Sequence, residues 1–377
     1  MGIKILHIIS GLNDGGAESL LFNFLSNSKT TIHYVISLKG FGKYGKLIED
    51  KGIKTYYLNF SINFSLISNF IYLIKIIRTI KPDIVQTWLY HADLVGGCAS
   101  YLANSKNIFW GIHHSSLDPK TNKLSTILVA KINSFLSYII PRKIIVCAES
   151  AKNIHIQKGF DRKKFITIPN GINTNKFKKS PKKRLNFRKK INIKPNETLY
   201  GTVARFHPIK DHDTLLKSIF LLKNSGFRFK YLLIGKDINK QNNILNKLIY
   251  QYKLEEIIIL IEEEKNIELV MNALDLHILS SKSEALPMVI LEAMACGTPC
   301  ISTDVGDVNK LIINKNFLVK KSDQINLFQA MQNFSNLNKN QVTKISNSVQ
   351  KHIKEKYSLK KMSNDYLSVY QKYLKLN

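Results

Sequence analysis

Residues 284–292 place two carboxylates around the start of a predicted helix. Pro287 suits the first turn of that helix, and Gly297 suits the cap after its last turn. Glu284 then lies in the preceding loop and Glu292 on the second turn. Because a helix N-terminus attracts phosphate and carboxylates accept hydrogen bonds from hydroxyl groups, the pattern is typical of a diphosphate or sugar ligand. A surface glutamate followed by an ordinary helical glutamate would give the same pattern.

Two cations, Arg205 and Lys210, follow another predicted strand. Arginine offers a planar fork of donors for phosphate oxygens, and lysine adds a compact charge. This position favours diphosphate binding, and two solvated surface cations are the alternative. Asp211 and Asp213 come next, where a helix begins, and we expect them to cap its free N–H groups rather than to bind a metal ion.

A third candidate site is glycine-rich and lies between the first strand and its helix. Gly11, Gly15 and Gly16 would let a ligand approach the backbone closely, and the helix that follows would attract phosphate. The spacing differs from the dinucleotide-binding G-x-G-x-x-G pattern. A purely structural turn therefore stays open beside ligand binding.

Short β-branched runs alternate with helix-length segments along most of the 377 residues. The pattern predicts parallel sheets covered by helices on both faces, in an α/β protein with two Rossmann-like, doubly wound domains that face a central cleft. We assign residues 1–170 to the first domain, 171–356 to the second, and 357–377 to a helix that packs back on the first. The predicted strands are residues 3–9, 32–37, 54–58, 84–87, 108–112, 143–146, 199–204, 231–234, 257–260, 274–279 and 299–303.

Sequence features bear on the compartment in which the protein is expected. Residues 60–80 are apolar but interrupted by Asn63, Asn69, Lys75 and Arg78, which favours an amphipathic helix over a membrane span. The N-terminus lacks the layout of a signal peptide, so we expect a cytoplasmic protein. The four cysteines form no close pairs with histidines, which indicates small buried side chains rather than a zinc or disulfide site.

The formal net charge is +29, and residues 176–190 hold nine basic side chains and no acidic one. One interpretation is compositional, since lysine-rich sequences also arise from AT-rich genomes, with residues 176–190 as a solvated linker. The other is attraction to an anionic surface such as phosphates, lipid or nucleic acid.

Taken together, these motifs resemble those of glycosyltransferase family 4, whose members have the two-domain GT-B fold. The resemblance covers nearly the whole chain, and it depends on the order and spacing of the motifs more than on any one of them. Its parts are Gly15-Gly16-Ala17-Glu18, Ile168-Pro-Asn-Gly171, Arg205 with Lys210, Glu284 with Glu292, Gly297-Thr-Pro299 and Thr303-Asp-Val-Gly306.

The resemblance implies a role for each residue of the site. Arg205 and Lys210 would bind the donor diphosphate, Glu284 would hold sugar hydroxyls, and Glu292 would hold the ribose. Leu286 and Pro287 would belong to the same donor-binding loop. Gly16 would line the phosphate or acceptor side from the other domain, and His113, rather than the adjacent His114, would donate a hydrogen bond to the reacting sugar or phosphate.

The family also implies a mechanism and substrates. Its members retain the anomeric configuration and need no metal or other cofactor, because protein cations and helix dipoles neutralise the leaving diphosphate. The expected donor is a UDP-sugar carrying a hexose. The expected acceptor is a lipid-linked glycan of a polysaccharide or O-antigen pathway, which would place the protein peripherally at the inner face of the cell membrane.

This sequence departs from the family pattern at two places. Ala285 stands where most relatives have glycine. Its methyl group would keep the backbone farther from the sugar than glycine would. Glu262, Glu263 and Glu264 occupy the segment where relatives have glycine and polar residues near the nucleobase. The three carboxylates would either repel a nucleotide phosphate or point into solvent.

Two other functions stay open at this stage. A nucleotide-sugar epimerase of similar fold is the nearest alternative enzyme. A nucleic-acid-binding protein is suggested by the charge alone, and no binding module supports it, so we expect no specific nucleic-acid partner.

Overall fold

The computed structural model describes residues 2–13, 15–27, 31–60, 66–113, 117 and 123–375. The chain divides into two compact units. Unit 1 consists of Met1–Gly171 together with Leu359–Asn377, and unit 2 consists of Ile172–Ser358. Both units are α/β structures built on a parallel sheet.

The sheet of unit 1 has seven parallel strands in the order β3-β2-β1-β4-β5-β6-β7. Ile, Val and Leu dominate the central strands, which suits a sheet that is buried on both faces. The strands are β1 Lys4–Ile9, β2 Ile32–Ser37, β3 Lys54–Tyr57, β4 Ile84–Trp88, β5 Ile108–Ile112, β6 Lys143–Val146 and β7 Phe165–Thr167.

Helices cover both faces of this sheet. One core packs the sheet against α1 and α2, and cores on the opposite face pack it against α3, α4 and α5. The first six helices are α1 Gly16–Asn27, α2 Gly42–Glu49, α3 Leu66–Ile80, α4 Tyr90–Leu102, α5 Leu124–Leu136 and α6 Glu149–Gln157. The predicted amphipathic helix within residues 60–80 is therefore confirmed from Leu66 onward, and residues 61–65 lie outside the described part.

Unit 2 repeats the architecture with six parallel strands in the order β10-β9-β8-β11-β12-β13. Its strands are β8 Leu199–Val203, β9 Lys230–Ile234, β10 Ile258–Ile261, β11 Leu276–Leu279, β12 Cys300–Thr303 and β13 Leu318–Val319. Its helices are α7 Pro181–Lys190, α8 His212–Asn224, α9 Asn243–Gln251, α10 Ile267–Ala273, α11 Met288–Ala295, α12 Val308–Leu311, α13 Gln324–Ser335 and α14 Lys339–Lys356.

The last helix, α15 (Leu359–Leu374), belongs to unit 1. It contributes Tyr366 and Tyr370 to the core that also contains α1. The buried Tyr370 hydroxyl donates a 2.8 Å hydrogen bond to Oε1 of Gln86 on β4. Helix α15 is thus part of the core of unit 1.

The basic stretch at residues 176–190 is largely held within unit 2. Most of it forms α7, and Arg188 is almost fully buried. Lys176 and Lys183 pair with Glu268, and Lys190 pairs with Glu264. The stretch is therefore mostly a helix of unit 2 rather than a linker. Most of its lysines are nevertheless exposed to solvent, and acidic partners hold only part of its charge.

No helix among the described residues is long and apolar enough to cross a membrane.

Candidate functional site

The order of the unit 2 strands reverses between β8 and β11, which lie side by side. In doubly wound sheets, ligands bind beyond the carboxyl ends of the strands at such a reversal. β8 ends at Val203 and leads into the loop that holds Arg205 and Lys210. β11 ends at Leu279 and leads into the loop that holds Glu284. The topology therefore places these two predicted loops next to each other.

An ion pair joins the two loops. Nζ of Lys210 lies 2.5 Å from Oε1 of Glu284, and both side chains are mostly buried. Ser281 donates a second hydrogen bond of 2.7 Å to the same carboxylate oxygen. Because two donors hold one oxygen of Glu284, the carboxylate has a defined orientation before any ligand binds.

Backbone contacts fix the same two loops. The hydroxyl of Ser280 donates to the carbonyl of Lys210 at 2.7 Å, and the amide of Lys282 donates to the carbonyl of Ile209, also at 2.7 Å. The Lys210–Glu284 pair thus lies on a framework of loop-to-loop hydrogen bonds, which limits its movement.

Gly306 packs directly on the backbone of the Glu284 loop. It has a φ of +58°, and a Cβ added to it would lie 2.2 Å from the Glu284 carbonyl oxygen. The next residue, Asp307, donates its amide to the carbonyl of Ala285 at 2.9 Å. A side chain at position 306 would therefore displace the loop that carries Glu284.

The helix expected after this loop is α11. Pro287 is its N-cap rather than a residue of its first turn, and both Pro287 and Leu286 are buried. Glu292 lies on the second turn, and Gly297 follows the helix with a φ of +79°. The N–H groups at the start of α11 accordingly follow directly on the Glu284 loop.

Glu292 lies in a different environment from Glu284. Its pKa is raised from 4.5 to about 7, chiefly by burial; the nearby charge of Lys176 opposes this rise, and that of Glu268 adds to it. Glu268 itself is buried and pairs with Lys176 at 3.7 Å and with Lys183 at 3.6 Å. The second carboxylate of the motif therefore binds a proton more readily than an exposed glutamate does.

This raised pKa predicts a pH-dependent stability. A carboxyl with a higher pKa in the folded state stabilises the fold fully below its unfolded value, and that contribution disappears as pH rises through the folded value. We expect the contribution of Glu292 to decline between pH 4.5 and pH 7, the interval of its pKa shift. Urea unfolding at several pH values should show a shallower pH dependence in Glu292→Gln than in the wild type. The exposed Glu255→Gln is the control, and an unchanged slope in Glu292→Gln would contradict the assignment.

Arg205 is exposed, and no side chain among the described residues hydrogen-bonds its guanidinium group. It differs in this respect from Lys210, although both follow β8. The fork of Arg205 is available to an anion in solution.

Asp211 and Asp213 lie at the start of α8 as expected, at the N-cap and in the first turn, but the predicted capping hydrogen bond from Asp211 is absent. Asp211 is the residue before the helix, but its φ is +52° and its side chain makes no capping bond. Its carboxylate instead accepts a hydrogen bond from Ser322 and pairs with Lys282. Asp213 pairs with Lys217 one turn later at 2.7 Å. The left-handed backbone and these nearby cations explain why neither carboxylate turns to the helix N–H groups.

The three glutamates after β10 separate into two kinds. Glu262 and Glu263 are exposed. Glu264 accepts hydrogen bonds from Lys190 at 2.7 Å and from the amide of Asn266 at 2.9 Å, which lower its pKa. Only two of the three carboxylates therefore point into solvent.

In unit 1, Gly16 is the first residue of α1 and is exposed. A Cβ added at this position would meet no heavy atom of the described structure within 4 Å. The protein without ligand therefore has room for a side chain at position 16. Only a bound ligand would make glycine necessary there.

Gly16→Ala should leave thermal stability unchanged and raise the donor or acceptor KM about tenfold, since one added methyl group would obstruct a closely bound ligand. Steady-state kinetics and a thermal melt on the same preparation check both parts. Unchanged KM values would show that no substrate approaches this glycine.

His113 follows β5 and stacks on Trp88, with ring centroids 5.3 Å apart and an interplanar angle of 9°. The Trp88 indole donates to Nδ1 of the buried His7 at 3.2 Å, and Nε2 of His7 lies 3.1 Å from Nδ1 of His33. Burial, followed by the charge of His33, lowers the pKa of His7. A buried aromatic network thus supports the ring of His113, whereas His114 lies outside the described residues.

Within unit 2 the structure brings Lys210 and Glu284 together and places Leu286 and Pro287 directly after them. The charges that act on Glu292 are those of a separate group, Lys176 and Glu268. Ser281 and Gly306 support Glu284 but were not predicted to do so, although the Thr303-Asp-Val-Gly306 motif was a signal for Gly306. Glu268 was not predicted either, because no motif contains it.

Among the residues that the structure describes, no group of three or more His, Cys, Asp or Glu side chains could hold a metal ion.

Two models of known protein families together match most of the chain. The family model "Glycosyltransferase Family 4" matches residues 19–176, and "Glycosyl transferases group 1" matches residues 183–352. The two matches fall on the two halves of the chain, one after the other.

Curated relatives extend the match. EpsF of Bacillus subtilis, which its description assigns to the glycosyltransferases, is 27% identical over 80% of this chain and 79% of its own length. The UDP-Gal:alpha-D-GlcNAc-diphosphoundecaprenol alpha-1,3-galactosyltransferase of Escherichia coli is 24% identical over 85% of this chain and 84% of its own length.

Among solved structures, HepE of Anabaena in complex with UDP has a TM-score of 0.84 at 20% identity, over 98% of this chain and 100% of that one. HepE is also known in complex with UDP-glucose. At this identity the likeness shows a shared fold.

Proposed function

We propose that this chain, which belongs to glycosyltransferase family 4 and has the GT-B fold, transfers a hexose from a UDP-sugar to a lipid-linked glycan of a surface polysaccharide. The observation that carries the proposal is the Lys210–Glu284 pair at the strand reversal of unit 2. It combines a phosphate-binding cation with a hydroxyl-binding carboxylate next to the start of α11.

The diphosphate is the part of the donor that this arrangement fits best. Arg205 is exposed on the loop after β8, and Lys210 ends the same loop. A diphosphate placed there would meet both cations and the N–H groups that begin α11. These groups would stabilise the charge that develops on the leaving diphosphate as the sugar departs.

The transferred sugar would bind through Glu284. Lys210 and Ser281 already hold Oε1 of this carboxylate, so sugar hydroxyls would donate to Oε2. When the donor binds, Lys210 would remain between the carboxylate and the phosphate. The pair thus couples sugar recognition to stabilisation of the leaving group. Glu292, as in the family pattern, would accept hydrogen bonds from the ribose.

We further propose that transfer retains the anomeric configuration and needs no metal ion. The leaving group would be stabilised by Arg205, Lys210 and the α11 N-terminus. The acceptor oxygen would bond to the anomeric carbon on the face that the diphosphate leaves, and the hydroxyl proton would pass to the leaving diphosphate. His113 would donate a hydrogen bond to the reacting sugar or phosphate, and Gly16 would line the phosphate or acceptor side.

The donor and acceptor classes are supported by relatives. HepE was crystallised with UDP and with UDP-glucose. The Escherichia coli relative is named for a UDP-galactose donor and a diphosphoundecaprenol-linked acceptor. A polyprenyl-linked acceptor would bring the protein to the inner surface of the cell membrane as a peripheral protein.

The proposal is tested by incubating the protein with a panel of nucleotide sugars, with and without a polyprenyl-diphosphate-linked acceptor, in the presence of a chelator. We expect a product that is heavier than the acceptor by one hexose in mass spectrometry. Isomerisation of a donor without an acceptor would instead identify an epimerase. Tight duplex binding at physiological salt without nucleotide-sugar affinity would favour the nucleic-acid alternative.

A further inference from the structure

Helix α5 in unit 1 has its hydrophobic side facing outward. Its buried residues are Ala130, Asn133 and Ser134, which are small or polar. Its exposed residues include Leu124, Leu128 and Phe135, which are 79%, 61% and 69% exposed. A surface helix of a soluble protein normally buries its large apolar residues. The exposed apolar side of α5 is therefore a candidate contact surface.

The exposed apolar residues of α5 form one continuous stripe. Positions 124, 128, 132 and 135 are spaced three or four residues apart and therefore lie on the same side of a helix. Tyr138 and Ile139, just after α5, are also exposed. The stripe thus runs along the full length of α5.

Helix α3 has a similar outer stripe. Ile67 and Ile71 are exposed one turn apart. Helix α4 packs against both α3 and α5, so the three helices form one layer on the same face of the sheet. Tyr101 and Leu102 at the end of α4 are also exposed. We call the exposed apolar residues of these three helices the outer face.

Positive charge accompanies the outer face. Lys75 and Arg78 continue the stripe of α3, and Lys131 lies beside the stripe of α5; all three are exposed. Among the described residues between 66 and 140, the only acidic ones are Asp83 and Asp93, and Asp93 is buried. The layer therefore combines apolar side chains with exposed cations.

We propose that the outer face docks on a bilayer that contains anionic lipid. Large apolar residues would enter the boundary between headgroups and acyl chains, and the cations would contact anionic headgroups. The inference rests on the proposed function, since a lipid-linked acceptor would be held at such a surface. It adds the part of the chain that contacts the membrane.

A second copy of this chain fits the outer face less well than a bilayer does. Pairing two such faces would bring Lys75, Arg78 and Lys131 of both copies together, with Asp83 as the only exposed acidic partner in each described layer. Anionic lipid supplies the missing negative charge and adapts to a surface formed by three helices.

The test is flotation of the purified chain with vesicles that contain no acceptor and no donor. Wild-type protein should float with phosphatidylglycerol vesicles and much less with phosphatidylcholine vesicles. The variant Leu128→Ser/Phe135→Ser should reduce the partition coefficient at least tenfold. The matched control is Ile244→Ser/Tyr250→Ser on α9 of unit 2, where the two residues are 67% and 75% exposed, and it should float like the wild type.

Two results would overturn the docking proposal. One is equal flotation of the α5 variant and the wild type. The other is a wild-type dimer in sedimentation that the α5 variant converts to a monomer, without any vesicle binding by either. UDP binding in solution and transfer to a detergent-solubilised acceptor are measured separately. Loss of transfer with intact flotation would contradict the proposed function alone, and lost flotation with intact transfer would contradict docking alone.

Discussion

Replacing Glu284 with glutamine should lower the rate of sugar transfer at least ~100-fold and leave the protein folded. Glutamine has nearly the same shape but no negative charge. The 2.5 Å ion pair to Lys210 would be lost, and Lys210 would no longer have a defined position for a diphosphate. The substituted amide would also be a weaker acceptor for sugar hydroxyls than a carboxylate.

The measurement is the initial rate with the donor that supports turnover, together with thermal melting of each variant. Glu255→Gln is the matched control, because it removes an exposed carboxylate of the same unit. We expect normal transfer from the control and normal melting from both variants. Transfer by Glu284→Gln within threefold of the wild-type rate would remove Glu284 from the site.

A double-mutant cycle sharpens this expectation. Lys210→Met should also reduce transfer strongly, and the double variant Lys210→Met/Glu284→Gln should be little worse than either single variant. Residues that act as one unit show such non-additive effects. Independent roles, with one residue on phosphate and the other on sugar, would give multiplicative losses instead.

Much of the fold follows from local patterns in the sequence. Strands such as β1, β5 and β6 are runs of β-branched and apolar residues separated by helical segments, and parallel topology follows from that alternation. Two strands, β7 and β13, were not predicted, because they do not follow from a local pattern. β7 contains only Phe165–Thr167, and β13 only Leu318–Val319. Such short strands exist because a neighbouring strand pairs with them, which no local pattern records.

The sequence predicted which residues belong to the candidate site but not which of them are in contact. Arg205, Lys210 and Glu284 each follow a strand, which the sequence shows. That Lys210 and Glu284 pair across 74 residues depends on β8 and β11 being neighbours. Strand order is a tertiary property, because several orders are compatible with the same alternation of strands and helices.

Charge was the least informative part of the sequence. A run of basic residues in a chain of net charge +29 is compatible with a solvated segment and with an anion-binding one. In the structure, the acidic partners of that run are Glu264, Glu268 and Asp275, which come from 74 to 92 residues later in the chain. Composition cannot reveal such pairing, since it depends on where the sheet places β10 and α10.

Arg188→Met should destabilise unit 2 by about 3 kcal/mol or more. The Arg188 guanidinium is buried and donates to the carbonyls of Ala273 at 2.9 Å and Glu197 at 2.7 Å. It also pairs with Asp275 at 2.7 Å. Methionine has similar length and fills the space, so the loss would come from acceptors left without a donor rather than from a cavity.

The closest control lies at the next position. Lys189→Met removes one exposed cation from the same helix and should change stability by less than about 0.5 kcal/mol. Arg188→Lys should recover only part of the loss, because one ammonium group cannot replace a planar fork that reaches several acceptors. Urea unfolding followed by far-UV circular dichroism measures all three variants. Equal stability of Arg188→Met and Lys189→Met would mean that the buried pair does not hold α7 to the sheet, and attraction to an external anion would then again be the better explanation of the basic run.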